Sequence, residues 1–355
     1  MTHPYRYKPD HAFWSRGVSA IPLDVFDPVT TVPFIIGRDE KVAAAGSCFA
    51  QHISRFLQAE GFGALVTEPA PLSAGALDTG YGVFPARFGN VYTIRQMLQL
   101  LDRAYSVYRP LDSAWAFEGG FVDPFRPRVQ TFQTVAALEN DRAAHFGAVR
   151  RMFEDCDVFV FTLGLTEAWQ RTADEAVFPL APGVHGSPPD MADYGFVNFS
   201  VARMQRDLLD FIDRLRMVNP AVRLILTVSP VSLAATYEDR HVVVSTVASK
   251  AALRVVADEV SRLRPYIAYF PSFEIITGPQ ARGQFLAGDL REVNEEGVSA
   301  VMRVFRRHFL MGDTSSAGRS RDGRSTEEPR PISQSDLQRF RTLEAVVCDE
   351  EALVP

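Results

Sequence analysis

Lys41-Val42-Ala43-Ala44-Ala45-Gly46-Ser47-Cys48-Phe49-Ala50 runs from an apolar stretch, through a Gly-Ser pair, into residues with helical spacing. A short apolar run bounded by a turn reads as a buried strand. Phe49, Ile53, Phe56 and Leu57 then recur at helical intervals, which predicts a helix from Phe49 to Leu57. Ser47 therefore falls on a strand-to-helix turn, where the first backbone N–H groups of a helix have no intrahelical acceptor. Two roles are open to it. A nucleophile there would form its oxyanion beside ready donors. A helix N-cap is the plainer use of the same residue.

The pattern repeats along the chain. Asp157–Leu163 (DVFVFTL), Val222–Ser229 (VRLILTVS) and Tyr266–Phe270 (YIAYF) are further strand candidates, and Ala64–Thr67 (ALVT) is a weak one. Between them lie helical patterns at Thr93–Tyr105, Thr134–Phe153, Val201–Val218, Ser245–Leu263 and Glu295–Phe309. Thr93 is placed to cap the first of these, and Asn219-Pro220 stops the third. Strands alternating with helices predict an α/β fold with a doubly wound parallel sheet covered on both faces. Ligands on such folds sit at the carboxyl ends of the strands. Ser47, Gly164 and Ser229 all fall at predicted strand ends, so one crevice would collect them.

The chain has 355 residues, enough for a sizeable core in one large domain. Its net charge of −6 argues against general affinity for nucleic acid or an anionic membrane. Three scattered cysteines, Cys48, Cys156 and Cys348, match no metal-ligand spacing and fit a reducing compartment. With no signal-peptide pattern and no membrane-length apolar run, the expectation is a cytoplasmic protein. Nucleotide motifs of the Gly-x-Gly-x-x-Gly and Gly-x-x-x-x-Gly-Lys types are missing, and the reading calls for no cofactor and no metal. Two stretches interrupt the alternation, Trp115–Gln130 and the Pro/Gly-rich Ala173–Phe199. The expected organisation is one α/β domain over residues 1–311, a disordered linker over 312–335 and an amphipathic C-terminal tail over 336–355.

Gly46-Ser47-Cys48-Phe49-Ala50, Phe161-Thr162-Leu163-Gly164-Leu165-Thr166-Glu167-Ala168-Trp169 and Val228-Ser229-Pro230-Val231 together resemble the GSCFA family, a branch of the SGNH (GDSL-like) hydrolases and acyltransferases. Phe88-Gly89-Asn90-Val91-Tyr92-Thr93, Val122-Asp123-Pro124-Phe125-Arg126-Pro127 and Tyr269-Phe270-Pro271-Ser272-Phe273-Glu274 extend the resemblance over residues 30–310. It implies a three-layer α/β/α fold with a serine nucleophile after the first strand. It also implies ester hydrolysis or acyl transfer on a carbohydrate, with an acyl donor where the reaction is transfer, and an association with polysaccharide biosynthesis.

On that resemblance Ser47 is the nucleophile, and Gly89 supplies a backbone donor to the oxyanion. Asn90 would add a side-chain amide; the alternative is a loop ahead of the helix that Thr93 caps. Gly164-Leu165-Thr166-Glu167 stands where many SGNH enzymes have Gly-x-Asn-Asp. Thr166 would then offer a hydroxyl to the oxyanion, and Glu167 would orient a neighbour or bind a sugar hydroxyl. Cys48 is a rival nucleophile, though a buried Cys packs as a small apolar group. Trp169 offers either a face for a sugar ring or core packing.

The general base is the open position. Superfamily enzymes place Asp-x-x-His late in the chain, and the counterpart here is Asp289-Leu290-Arg291-Glu292, with Glu292 in the histidine's place. A carboxylate is a weak base unless burial raises its pKa. His241, after Val228-Ser229-Pro230-Val231, is the preferred base, oriented by Asp239 or Asp289. His52 is expected to turn away from Ser47, and His185 to fold over the site. Arg126 would hold a carboxylate or phosphate, or pair with Asp123 in a rigid turn. Lys250 would bind an anionic group or be a solvated helix lysine. The leading reading is an SGNH-like esterase or O-acyltransferase on an acylated carbohydrate or glycosylated small molecule. The alternative is a catalytically degraded module that binds a glycan or a protein.

Overall fold

The run that ends in Gly46-Ser47 is a central strand. In the computed structural model, which describes residues 3–70, 80–188, 190–312 and 349–353, it forms β1 (Lys41–Gly46), followed by α1 (Ala50–Ala59) and β2 (Gly63–Ala64). Next come α2 (Ile94–Ala104), the hairpin β3 (Trp115–Phe117) and β4 (Gly120–Val122), and α3 (Val135–Asp155). The chain continues through β5 (Val158–Leu163), β6 (Glu167–Arg171), β7 (Val177–Phe178), β8 (Tyr194–Asn198), α4 (Val201–Val218) and β9 (Arg223–Val228). It ends its regular part with α5 (Val242–Leu263), β10 (Ile267–Tyr269), α6 (Ser272–Thr277) and α7 (Glu295–Phe309).

Five strands form one parallel sheet in the order β10-β9-β5-β1-β2. The strand order reverses between β1 and β5, which is the topological switch point of a doubly wound fold. Period-two alternation splits each strand between two cores. Ala43, Ala45, Phe159, Phe161, Leu224 and Leu226 face α2, α3, α4 and α5. Val42, Ala44, Val158, Val160 and Ile225 face α1, α6 and α7. The three-layer α/β/α architecture is therefore as the sequence led one to expect. Phe159 and Phe161 pack on Phe211 of α4 with ring centroids 5.7 and 6.0 Å apart. Burying each such ring stabilises the fold by about 2–3 kcal/mol.

Several local readings shift. Ser47 does not cap α1: Phe49 holds the N-cap position, with no side-chain hydrogen bond. The strand expected at Ala64–Thr67 is the two-residue Gly63–Ala64, because only that stretch pairs with β1. α5 begins at Val242, three residues before the expected start, with His241 as N-cap, its Nδ1 accepting from the Val243 N–H. α6, after Pro271, was not expected at all. The two interrupting stretches carry structure of their own. β6 pairs antiparallel with both β7 and β8. The β3–β4 hairpin meets that region through an Ala116–Ser187 bridge, and Trp115, Val122, Phe125, Phe178 and Tyr194 share a small core of their own.

The expected linker from 313 onward and the expected tail up to 348 lie outside the described residues. Asp349–Leu353 forms a short 3₁₀ turn. No helix among the described residues is long and apolar enough to cross a membrane.

Candidate active site

Gly46 ends β1 at φ +134°, and a Cβ built there would lie 2.2 Å from the carbonyl oxygen of Thr162 on β5. Only glycine fits this position. The close approach lets the Ser47 N–H donate to Thr162 O at 3.1 Å. The Ser47 side chain is buried, and its Oγ has no hydrogen-bond partner among the described residues. Gly164, just past β5, packs directly against it. A Cβ at Gly164 would stand 3.1 Å from Ser47 Cβ and 3.0 Å from Tyr92 O.

The loop before α2 closes this end of the sheet. Val91 N–H donates to Gly46 O at 2.8 Å, and Tyr92 O accepts from the N–H groups of Gly164 (3.1 Å) and Leu165 (2.8 Å). Three segments separated by some 40 to 70 residues, around positions 47, 90 and 164, thus converge at the switch point. Gly89 adopts φ +73°, and nothing lies within 4 Å of the space a Cβ would take. Its N–H and that of Phe49 have no acceptor among the described residues. The Gly164 N–H is engaged by Tyr92 O, and the contribution of Gly164 is the room it leaves for Ser47.

Asn90 is buried and held at both ends. Its Oδ1 accepts from Gln51 Nε2 at 3.2 Å, and its Nδ2 donates to Asp349 Oδ2 at 2.8 Å. The Asp349 N–H donates to the Tyr92 hydroxyl at 2.9 Å, and Arg128 Nη1 lies 3.6 Å from Asp349 Oδ1. Neither Gln51 nor Asp349 was singled out in the sequence. Gln51 had a signal: it is a polar residue on the buried face of α1, one turn past Ser47. Asp349 had none, since its contact spans 259 positions.

α5 stitches the β5 end in place. The Thr166 hydroxyl donates to Ser249 Oγ at 3.1 Å, and the Thr166 N–H donates to the same oxygen at 3.1 Å. Lys250 is a buried lysine and not a solvated one; its Nζ donates to Gly164 O at 2.8 Å. Glu167 accepts from Thr236 Oγ1 at 2.8 and 2.9 Å and from the Tyr237 N–H at 3.3 Å, fixing the loop after β9. Trp169 is half-buried, edge-on to Tyr237 with centroids 4.8 Å apart. Ser229 donates its N–H to Leu163 O at 2.8 Å. Cys48 is buried with Val231 and Val293, facing away from solvent.

All seven histidines are described, and none is hydrogen-bonded to Ser47. His241 is exposed, its Nδ1 accepting from the Val243 N–H at 3.2 Å. His52 packs on Phe49, and burial followed by the nearby Arg55 pushes its imidazole down to about 4. His185 stacks on Phe117 of the β3–β4 hairpin at 4.0 Å. His308 bonds Asp27. After the Asp289–Glu292 turn, Val293 packs against Cys48 and Val231, and within it Arg291 Nε donates to Ser232 O at 3.2 Å. Asp289 accepts from the Arg291 and Glu292 N–H groups. Slight burial raises its carboxyl, and those two donors more than offset this, so it sits below the usual carboxylate range. Glu292 itself is exposed.

Arg126 pairs with Asp123 and Asp141, as the rigid-turn reading has it. Among the described residues no group of three or more His, Cys, Asp or Glu is arranged to hold a metal ion.

The fold and this turn define the class: an α/β protein with a buried serine at the carboxyl edge of a doubly wound sheet, beneath a loop that spans the switch point. The chain belongs to the GSCFA family, whose model matches residues 41–305, from the start of β1 into α7. No curated protein matches it.

Proposed function

We propose that this chain is an ester-processing enzyme of the SGNH type, a hydrolase or an O-acyltransferase, with Ser47 as nucleophile and an acylated carbohydrate as substrate. The observation that carries this reading is the Ser47 hydroxyl: buried, without a partner among the described residues, and set at the switch point, with the Phe49 and Gly89 N–H groups of the same turn and of the facing loop lacking an acceptor among the described residues. Ser47 Oγ would attack the ester carbonyl while a base takes its proton. The carbonyl oxygen, now an oxyanion, would be stabilised by the N–H groups of Gly89 and Phe49. Collapse would expel the sugar hydroxyl with the proton returned to it, leaving an acyl-Ser47. Water, or a hydroxyl of an acceptor, would then release the acyl group. Trp169 and Tyr237 offer aromatic surface for a sugar ring.

Two residues compete for the base. His241 is one, histidine being the commonest general base. Glu292 lies on the turn that packs against Cys48 through Val293. Turnover of an aryl acetate tests the proposal: Ser47→Ala should lower it by about a thousandfold or more. His241→Ala and Glu292→Gln then separate the two bases, since only loss of the true base should approach the Ser47→Ala level.

A second reading, a catalytically degraded glycan- or protein-binding module, is favoured by two observations: no histidine is hydrogen-bonded to Ser47, and the Asn90 amide donates to Asp349. Aryl acetate turnover no faster in the folded wild type than in Ser47→Ala would decide for this module.

A further inference from the structure

Behind the 88–92 loop, on the side of α2 and α3, lies a cavity of about 30 Å³. That is room for about two waters. Its polar lining includes Arg103, Arg126, His145 and Gln96, while Ser47, Gly164 and Thr166 do not line it. Three side chains of this lining keep unspent donors. Arg126 Nη1 is a buried donor with no hydrogen-bond partner among the described residues. Gln96 turns its Oε1 to the N–H groups of Tyr92 and Thr93, which leaves its amide NH₂ without an acceptor among the described residues. Arg103 is sandwiched by rings, its guanidinium carbon 3.7 Å from the Phe125 centroid and 5.1 Å from that of Phe146. Its side-chain donors make no hydrogen bond or ion pair among the described residues.

Charge accounting sharpens the point. The connected network around the cavity sets Arg87, Arg126 and Arg142 against Glu68, Asp123 and Asp141, three cations to three carboxylates. Arg103 is a fourth guanidinium that forms no ion pair among the described residues. Burial is the main influence on it and pushes its pKa down to about 9, with Asp123 opposing and Arg142 and Arg126 adding to the fall. A buried cation without a counter-charge is costly and is normally relieved by an anion. Planar guanidinium edges present paired N–H donors suited to two oxygens of one group.

We propose that Arg103, Arg126 and Gln96 form a binding site for an oxyanion group, a carboxylate or a phosphate, behind the 88–92 loop. The volume admits the charged end of a ligand and no more. The site stands apart from the Ser47 reading and does not depend on it. Because Asn90 and Val91 line the cavity from one side while Val91 bonds Gly46 on the other, an anion seated there presses on the loop that borders Ser47.

Calorimetric titration of the full chain at neutral pH, in a buffer free of multivalent anions, tests this with inorganic phosphate and with acetate. The expected result is saturable binding of one of them, weakened about tenfold or more by Arg103→Met and less by Arg103→Lys. Preference for phosphate or for acetate identifies which oxyanion the site takes. Arg203→Met, a partly buried arginine paired with Glu175 and outside the cavity lining, should leave binding unchanged. Should Arg103→Met fail to fold, the Arg103→Lys comparison and the anion-dependent rise in Tm of the wild type provide the reading. Binding of neither anion, or equal binding in the Arg103 variants, overturns the proposal and leaves a cavity that holds only water.

Discussion

Replacing Gly164 with alanine probes the contact between the two strand ends that shape the serine's surroundings. The new Cβ would lie 3.0 Å from Tyr92 O, 3.1 Å from Ser47 Cβ and 3.3 Å from Tyr92 Cα. Each contact is tighter than ordinary van der Waals packing, so the neighbours must yield by a few tenths of an ångström. Overpacking of this degree costs about 1–3 kcal/mol. Tyr92 O also holds the N–H groups of Gly164 and Leu165, and weakening those bonds adds to the loss. A total near 2 kcal/mol corresponds to a fall in Tm of about 4 °C for a domain of this size. Part of the displacement falls on Ser47 itself, and a shift of that order should slow acylation about tenfold or more. Thermal denaturation and the rate of covalent labelling by a fluorophosphonate read the two effects together. Gly46→Ala is the severe counterpart: its Cβ would meet Thr162 O at 2.2 Å with φ at +134°, and soluble folded protein should be largely lost. Wild-type stability and labelling in Gly164→Ala would refute the argument that Gly164 is there to make room for Ser47.

The buried His145 ties stability to pH. Its Nδ1 lies 2.7 Å from Glu68 Oε2, and burial first, then Arg126, pushes its imidazole down to about 4. The unfolded chain protonates it near 6.5, so the folded state has full stability above that pH and loses it as pH falls towards 4, by up to about 3 kcal/mol. Urea denaturation across this window should show the slope in the wild type and a flatter profile in His145→Asn. Asp349→Ala removes the carboxylate that accepts from the buried Asn90 amide and should cost about 1–3 kcal/mol, measured by the same denaturation. An unchanged midpoint would show that the contact of Asp349 with Asn90 contributes nothing to the fold.

Local signals made most of the architecture legible. β5 announces itself by its β-branched and aromatic run, α4 ends at Asn219-Pro220 where the sequence has its stop, and Asn294 caps α7 as its position suggests. Thr93 closes a capping box with Gln96. What stayed hidden depends on distant partners. β6, β7 and β8 are short and sit among Pro and Gly residues, so only their mutual pairing makes them strands. Arg103 reads as one more cation on an amphipathic helix, and nothing local tells that α3 and the Asp123–Arg126 turn enclose it. The serine turn was readable from Gly46-Ser47, yet the state of its hydroxyl was not. A base for it must arrive from another part of the chain, and one-dimensional spacing does not fix that distance.

The central claim is that Ser47 is a nucleophile. Incubating the full chain with a fluorophosphonate and locating the adduct by peptide mass spectrometry tests it most directly. The account predicts a stoichiometric adduct on Ser47 and none in Ser47→Ala. An unlabelled folded protein, or an adduct carried elsewhere and retained in Ser47→Ala, would contradict it.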